Sequence, residues 1–152
     1  MTISDIDIIE TAIRVTSSTF DISDMEISRI SDPKNLDLMF ITLDSSLLIN
    51  TLVFHDSESN LLNVRNTKVL IDDITIQNVS SFSDFIKISL SDNVYISQFV
   101  SINTTTDIDE KILITDSNNV TIDGIQTSDT PELIIDIVNS NVTSMSNLQI
   151  HN

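Results

Sequence analysis

Apolar residues recur at one fixed set of offsets down the whole chain, and no single residue restricts the fold as much as that recurrence. In Asn119-Val120-Thr121-Ile122-Asp123-Gly124-Ile125-Gln126-Thr127, Val120 is followed by apolar residues two and five positions on. With Val120 as position zero and +7 added, the set reads Met1, Ile3, Ile6, Ile8, then Phe20, Ile22, Met25, Ile27. It continues as Leu47, Ile49, Leu52, Phe54 and as Val69, Ile71, Ile74, Ile76. Val94, Ile96, Phe99 ends in Ser101, Val120, Ile122, Ile125 ends in Thr127, and the last set is Thr143, Met145, Leu148, Ile150. The anchors at 1, 20, 47, 69, 94, 120 and 143 are spaced by 19, 27, 22, 25, 26 and 23 residues. A period near two dozen that varies while its strands stay constant is the signature of a solenoid.

The 0, +2 and +5, +7 pairs each alternate with period two, as strands with one buried face do. The odd step from +2 to +5 marks a bend between two short strands that face one core. A third strand lies between units: Ile13-Arg14-Val15, Leu36-Asp37-Leu38-Met39-Phe40, Leu62-Asn63-Val64, Ile86-Lys87-Ile88, Ile112-Leu113-Ile114 and Ile135-Asp136-Ile137. Polar turns such as Ser89-Leu90-Ser91-Asp92-Asn93 return the chain to the next anchor. The expected fold is all-β: a parallel β-helix solenoid with three short strands per coil and six to seven coils of 19–27 residues, filling residues 1–152 as one domain. Composition agrees, because β-branched and turn-forming side chains dominate and Ala12 is the single alanine. A leucine-rich repeat fits Ile71-x-x-Ile74-x-Ile76-x-Asn78, but other units do not keep the Asn and the intervening segments alternate like strands. A β-sandwich is the other rival. Gly124, the single glycine, stands at the bend where other units carry Asp5, Asp24, Thr51, Asp73, Gln98 and Asn147, so the pattern itself does not demand glycine there.

Asn118-Asn119-Val120-Thr121-Ile122-Asp123-Gly124-Ile125, with Ser91-Asp92-Asn93-Val94-Tyr95-Ile96-Ser97-Gln98-Phe99 upstream, resembles coils of the right-handed parallel β-helix proteins of the pectin-lyase-like superfamily. It is also similar to Asn/Ile/Ser-rich β-helical segments of large surface proteins from ciliates and other protists. The resemblance covers essentially the whole chain, implies the right-handed fold, and carries little functional specificity. Because the superfamily includes polysaccharide lyases and hydrolases, it also implies where an active site would be sought. The hydrolase-like pattern of paired acids near Gly-His-Gly and Arg-x-Lys is not matched by Asp72-Asp73, by His55 in His-Asp-Ser, or by Arg65 followed by Asn-Thr-Lys. Arg14, Arg29 and Arg65 do not repeat in register with acids as a lyase-like calcium site would require. No catalytic residue is assigned and no cofactor is expected; the chain reads as a non-enzyme.

Seven Lys plus Arg against 23 Asp plus Glu give a formal charge of −16, which disfavours nucleic acid and anionic membrane surfaces. Cysteine is absent, as are a signal-peptide pattern and any apolar stretch of membrane-spanning length. Acids or amides at Asn35, Asn60, Asp84, Glu110 and Glu132 precede the third strand in successive coils; stacked carboxylates there could draw Ca²⁺, with Asp107, Asp109 and Glu110 the densest group. The competing expectation is that variable loops splay these charges into water. Sequons occur at Asn78, Asn103, Asn119 and Asn141, about as often as this composition yields by chance, with Asn103 in the most open loop. Carbohydrate binding needs exposed aromatics, yet Phe20, Phe54 and Phe99 hold core positions, Phe40 and Phe85 border the third strand, and Phe82 and Tyr95 are left for the outside.

Neither end of the repeat carries a polar cap, so the reading expects either an excerpt of a longer β-helix or a subunit stacking end to end. The expected function is a structural or surface protein, a rigid β-helical rod or filament segment, at the cell surface or outside the cell, with a cytoplasmic place also open. The alternative is a module binding carbohydrate, a partner protein or Ca²⁺, and the least favoured is a polysaccharide lyase or hydrolase.

Overall fold

The computed structural model describes residues 2–7, 13–31, 37–81, 83–106, 112–129 and 135–151. Among these residues every regular element is a strand, and every strand pairing is parallel. The chain winds as a parallel β-solenoid with three faces. Face A stacks Ile13–Thr16, residues 39–42 and 62–65, Ile86–Ser89, Ile112–Thr115 and Ile135–Val138. Face B stacks Thr19–Ile22, residues 46–49, 68–71 and 94–96, Val120–Ile122 and Val142–Met145. Face C runs from Thr2–Asp7 through Met25–Ser31, Leu52–Glu58, residues 74–80 and 99–102, and Ile125–Ser128 to Leu148–His151. Ile13, Met39, Leu62, Ile86, Ile112 and Ile135 lie one above the next, which makes five full turns with steps of 26, 23, 24, 26 and 23 residues.

The recurring offsets become columns of like side chains pointing at one axis. Ile22, Ile49, Ile71, Ile96 and Ile122 form one such column, each essentially inaccessible to water. Leu47, Val69, Val94 and Val120 form the next. Restricted χ1 lets β-branched residues repeat at the strand spacing without losing much rotamer freedom. Full burial of each stabilises by roughly 1.5–3 kcal/mol. Phe54, Phe85 and Phe99 are buried in this core and Phe20 packs against it, as core positions should.

Two registers differ from the sequence pattern. Ile3 pairs with Ile27 and Ile6 with Ile30, so Ile3 holds the +7 place of its coil and the first spacing is 24 residues rather than 19. Alternating apolar residues fit either offset, and pairing with the neighbouring strand decides between them. In the second coil Met39 and Ile41, one residue later than the Leu36–Phe40 run suggests, take the inward places. Leu38 is buried at the corner instead, level with Leu61 and Phe85.

The corners explain the composition. Among the described residues fifteen non-glycine residues have left-handed backbone, φ between 49° and 56°, and twelve of them are Asn or Asp. A β-branched or large residue resists that conformation, whereas a short side chain that can bond its own backbone tolerates it. Between faces A and B the left-handed residue is Ser17, Asp44, Asn66, Leu90, Asp116 or Asn139, and in every coil a hydroxyl residue follows it: Ser18, Ser45, Thr67, Ser91, Ser117, Ser140. These hydroxyls form an internal ladder. Thr67 Oγ1, Ser91 Oγ, Ser117 Oγ and Ser140 Oγ each donate to the carbonyl two residues back, at 2.9–3.0 Å. Ser91, Ser117 and Ser140 also accept the backbone N–H of Thr67, Ser91 and Ser117 respectively, at 3.3, 3.2 and 3.0 Å. From Thr67 to Ser140 each coil thus closes a hydrogen bond of the coil before it. The corner between faces C and A uses the same device once, where Ser57 Oγ donates to the His55 carbonyl and accepts the Ile30 N–H.

Gly124 corrects the reading that its place makes no demand. A Cβ there would lie 2.6 Å from the Ser97 carbonyl oxygen of the preceding coil. At the same bend Asp24 and Asn147 escape by going left-handed, which Gly124 does not. On face C the inward column changes character, from Ile27, Phe54 and Ile76 to buried Ser101 and Thr127. Ser101 finds Thr104 at 2.6 Å, but Thr127 Oγ1 is buried without a hydrogen-bond partner.

Two stability outcomes follow. Ser117→Ala leaves the Ser91 N–H without its acceptor and should cost about 1–3 kcal/mol in urea unfolding, while Ser117→Thr, which keeps the hydroxyl, should cost much less. Thr127→Val, which replaces an unsatisfied hydroxyl with a methyl of similar volume, should raise stability by about 1 kcal/mol in the same assay.

Candidate functional site

What the solenoid offers to a partner is its outward surface, and the corner geometry dictates how charge is spread over it. Asp24, Asp44, Asp56, Asp116 and Asp129 are all left-handed corner residues, and Asp72, Asp73, Asp92 and Asp123 also stand at bends or turns. Within the flat faces, outward carboxylates are few among the described residues: Asp21, Glu26, Glu58 and Asp136. Much of the −16 charge therefore sits on the edges, where the backbone needs Asp, rather than on the sheets.

The edges are hydrogen-bonded from coil to coil. Between faces C and A, Asn103 Nδ2 donates to Asn78 Oδ1, and Asn78 Nδ2 donates to Asp56 Oδ1, both at 2.9 Å. Between faces A and B, Asn66 donates to Asp44 at 2.9 Å, Asn118 to Asp92 at 3.0 Å, and Asn119 to Asn93 at 3.2 Å. Asp123 accepts from both Ser146 and Asn147 at the third edge. Three of the four sequon asparagines, Asn78, Asn103 and Asn119, are thus exposed but spend their amide nitrogens on the ladder. Asn141 is exposed, and its backbone N–H bonds Ser117.

The candidate calcium residues Asp107, Asp109 and Glu110 lie outside the described residues, as do Asn35, Glu132 and Phe82. Asn60 and Asp84 are described, and neither is splayed into water: each is only 4% exposed. Asp37, not Asn35, is level with Asn60, and Ser81 Oγ donates to Asn60 Oδ1. Among the described residues no three His, Asp or Glu side chains converge as a metal-holding group.

His55, on Leu52–Glu58 of face C, has a carboxylate against each ring nitrogen. Its Nε2 lies 3.0 Å from Glu26 Oε1 of the preceding coil and its Nδ1 2.9 Å from Asp56 Oδ2. The hydrogen bond with Glu26, then that with Asp56, raises its pKa above the ordinary value, against a small opposing effect of burial. Asp56 is held below the usual carboxylate range, first by Asn78 and then by His55. With a carboxylate against each ring nitrogen, the arrangement favours the protonated imidazole. Of the basic residues, Arg14 and Arg65 project from face A and Arg29 stands at the C–A corner. Arg65 shares a shallow groove with Leu90, Asp92 and Asp116.

Face B carries an outward stripe, Leu48, Leu70, Tyr95 and Thr121, parallel to the solenoid axis. A second groove lies between that stripe and the edge residues Lys68, Asn93 and Asn119. Tyr95 is half-buried there, in the outward place its offset implies. Offset counting overlooks the hydroxyl ladder. Its signal is short: Asp or Asn followed by Ser or Thr directly after the third strand, as in Asp44-Ser45, Asn66-Thr67, Asp116-Ser117 and Asn139-Ser140.

No family model matches the chain, and comparison with curated proteins and with solved structures returns no match.

Asp73 gives this surface a measurable pH dependence. It stands at the B–C bend level with Gln98, its Oδ1 buried without a partner, and desolvation raises its pKa. A carboxyl whose folded pKa is raised binds its proton more tightly when folded, so its stabilising contribution is present at low pH and is lost as pH rises through the raised value. Asp73→Asn should therefore be more stable than the parent at pH 7 and lose that advantage near pH 3.5, read as the difference in urea midpoints at the two values.

Proposed function

We propose that the chain is a segment of a structural, non-enzymatic β-helical rod, of the kind found in surface or extracellular proteins, and that its coils continue or stack beyond this stretch. The observation that carries the reading is the coil-to-coil hydroxyl ladder: over three successive steps, from Thr67 to Ser140, a coil supplies the acceptor for an N–H of the coil before it, and nothing in that bonding scheme limits the number of coils. Five turns at about 4.8 Å each rise about 24 Å. In the last described coil Val142, Met145 and Leu148 are 41%, 42% and 47% exposed, whereas Val120, Ile122 and Ile125 below them are buried. A further coil, from a continuing chain or from another copy, would cover them with the packing their column-mates enjoy. The resemblance of residues 118–125 to pectin-lyase-like coils and to β-helical segments of protist surface proteins supports the same assignment. The edge placement of acids supports solubility of such a rod, since like charges at regular spacing repel neighbouring rods.

A second reading has one observation of its own, the Leu70–Tyr95 stripe beside Lys68, Asn93 and Asn119, which suits a binding module for a polysaccharide or protein partner.

Electron microscopy of the native assembly should show rods continuous through this segment, with an axial repeat near 4.8 Å in diffraction from aligned specimens. Compact particles of fixed size, or turnover of an acidic polysaccharide by the purified chain, would refute the rod reading.

A further inference from the structure

A histidine with a carboxylate against each ring nitrogen is a stringent arrangement. Neutral imidazole has one N–H and one lone pair, so only the imidazolium can donate to both Glu26 and Asp56. Both contacts are short, 3.0 and 2.9 Å, and they tie together two coils: Glu26 belongs to Met25–Ser31, while His55 and Asp56 belong to Leu52–Glu58. Ser28 is level with His55, so Glu26 reaches it diagonally, two residues along the neighbouring strand.

We propose that His55 is a proton-operated staple between these two coils: charged, it holds Glu26 and Asp56 at once, and on losing its proton it must release one of them.

The surroundings decide which coil boundary responds. From Met25–Ser31 the charged groups on this side are Glu26 and Arg29, and Arg29 acts electrostatically on Asp56. On its own strand His55 has Asp56 and Glu58, and from the following coil Gln77 and Asn78 face it, neither of which titrates. Asp56 Oδ1 is occupied by Asn78, which is itself bonded by Asn103, so Asp56 is anchored toward the later coils. Glu26, with its side chain about half exposed, has no such anchor in this ladder and is the partner released. The loosened boundary is therefore the one between Met25–Ser31 and Leu52–Glu58. A coil in a solenoid is stabilised by its immediate neighbours, so the lost contact weakens this boundary and leaves the others as they are.

The direction follows from the raised histidine pKa. A group that binds its proton more tightly when folded contributes fully below its ordinary value, here 6.5, and loses that contribution as pH rises through the folded value. The staple is closed in mildly acidic surroundings and opens toward alkaline ones.

The test uses the two histidines of the full chain. Imidazole resonances of His55 and His151 are followed by NMR from pH 5 to 9, in the parent and in Glu26→Gln. His55 should titrate above 6.5, and Glu26→Gln should move its midpoint down. In parallel, the Tm advantage of the parent over His55→Gln should shrink as pH rises through the His55 midpoint. A His55 midpoint at or below 6.5, or parent and His55→Gln melting curves that run parallel across the range, overturns the staple. If His55→Gln does not fold, the parent and Glu26→Gln titrations alone decide the matter.

Discussion

Everything in this structure depends on stacking nearly identical turns in register, and the corner hydroxyl is the interaction that makes register a chemical requirement. A parallel strand pair satisfies its own backbone groups, but a corner breaks the ladder and leaves N–H groups pointing along the axis into the next coil. Thr67, Ser91, Ser117 and Ser140 each donate within the coil, and Ser91, Ser117 and Ser140 meet that need with the same atom by accepting from the coil before. A slip of one residue would take the hydroxyl out of reach and turn the isoleucine columns outward at the same moment. Polar and apolar requirements therefore select the same register, which is the mutual consistency expected of a sequence with one folded state.

The same corners reinterpret the acidity. Charge of −16 invites an explanation by partner or solvent, yet five aspartates are where they are because the backbone is left-handed there. Glycine would serve that conformation without charge, but this chain has one glycine and spends it elsewhere. Asparagine and aspartate add what glycine cannot: an amide on one coil donating to a carboxylate or amide oxygen on the next, as Asn66 does to Asp44 and Asn103 to Asn78. Alternating the two along an edge places a donor against an acceptor, where two stacked aspartates would repel.

How far the sequence could be read is a matter of which forces leave a periodic trace. Burial does, so the three-strand coil and the inward places of Ile22, Ile49, Ile71, Ile96 and Ile122 follow from counting offsets. Register within an alternating segment does not, because Met1 to Ile8 satisfies the pattern at more than one offset; only the partner strand fixes Ile3 against Ile27. Close approach leaves no trace either. Nothing in the residues that occupy the other bends reveals that the Ser97 carbonyl lies where a side chain at Gly124 would go. The pairing of His55 with Glu26 joins residues 29 apart that no motif connects, and it emerges only once Ser28 and His55 are seen to be level. The corner hydroxyls were legible in principle, but as a two-residue signal they are hidden by the abundance of Ser and Thr.

The packing is not uniform along the axis. One of the two inward columns of face C runs from Ile27, Phe54 and Ile76 in the earlier coils to Ser101 and Thr127 in the later ones, while the other, Met25, Leu52, Ile74, Phe99 and Ile125, stays apolar. Exchanging a buried aliphatic side chain for a hydroxyl forfeits part of the roughly 1.5–3 kcal/mol its burial contributes, and a hydroxyl without a partner adds a desolvation cost. Because coil stabilities in a solenoid combine through nearest-neighbour boundaries, such a deficit is felt at the coils that carry it. Ser101 offsets its cost by pairing with Thr104 inside the same coil; Thr127 has no equivalent. At the boundary between residues 99–102 and Ile125–Ser128, Phe99 over Ile125 keeps one apolar column of face C, and the buried Ser101–Thr127 pair beside it is where hydroxyls replace the aliphatic contact of the earlier coils.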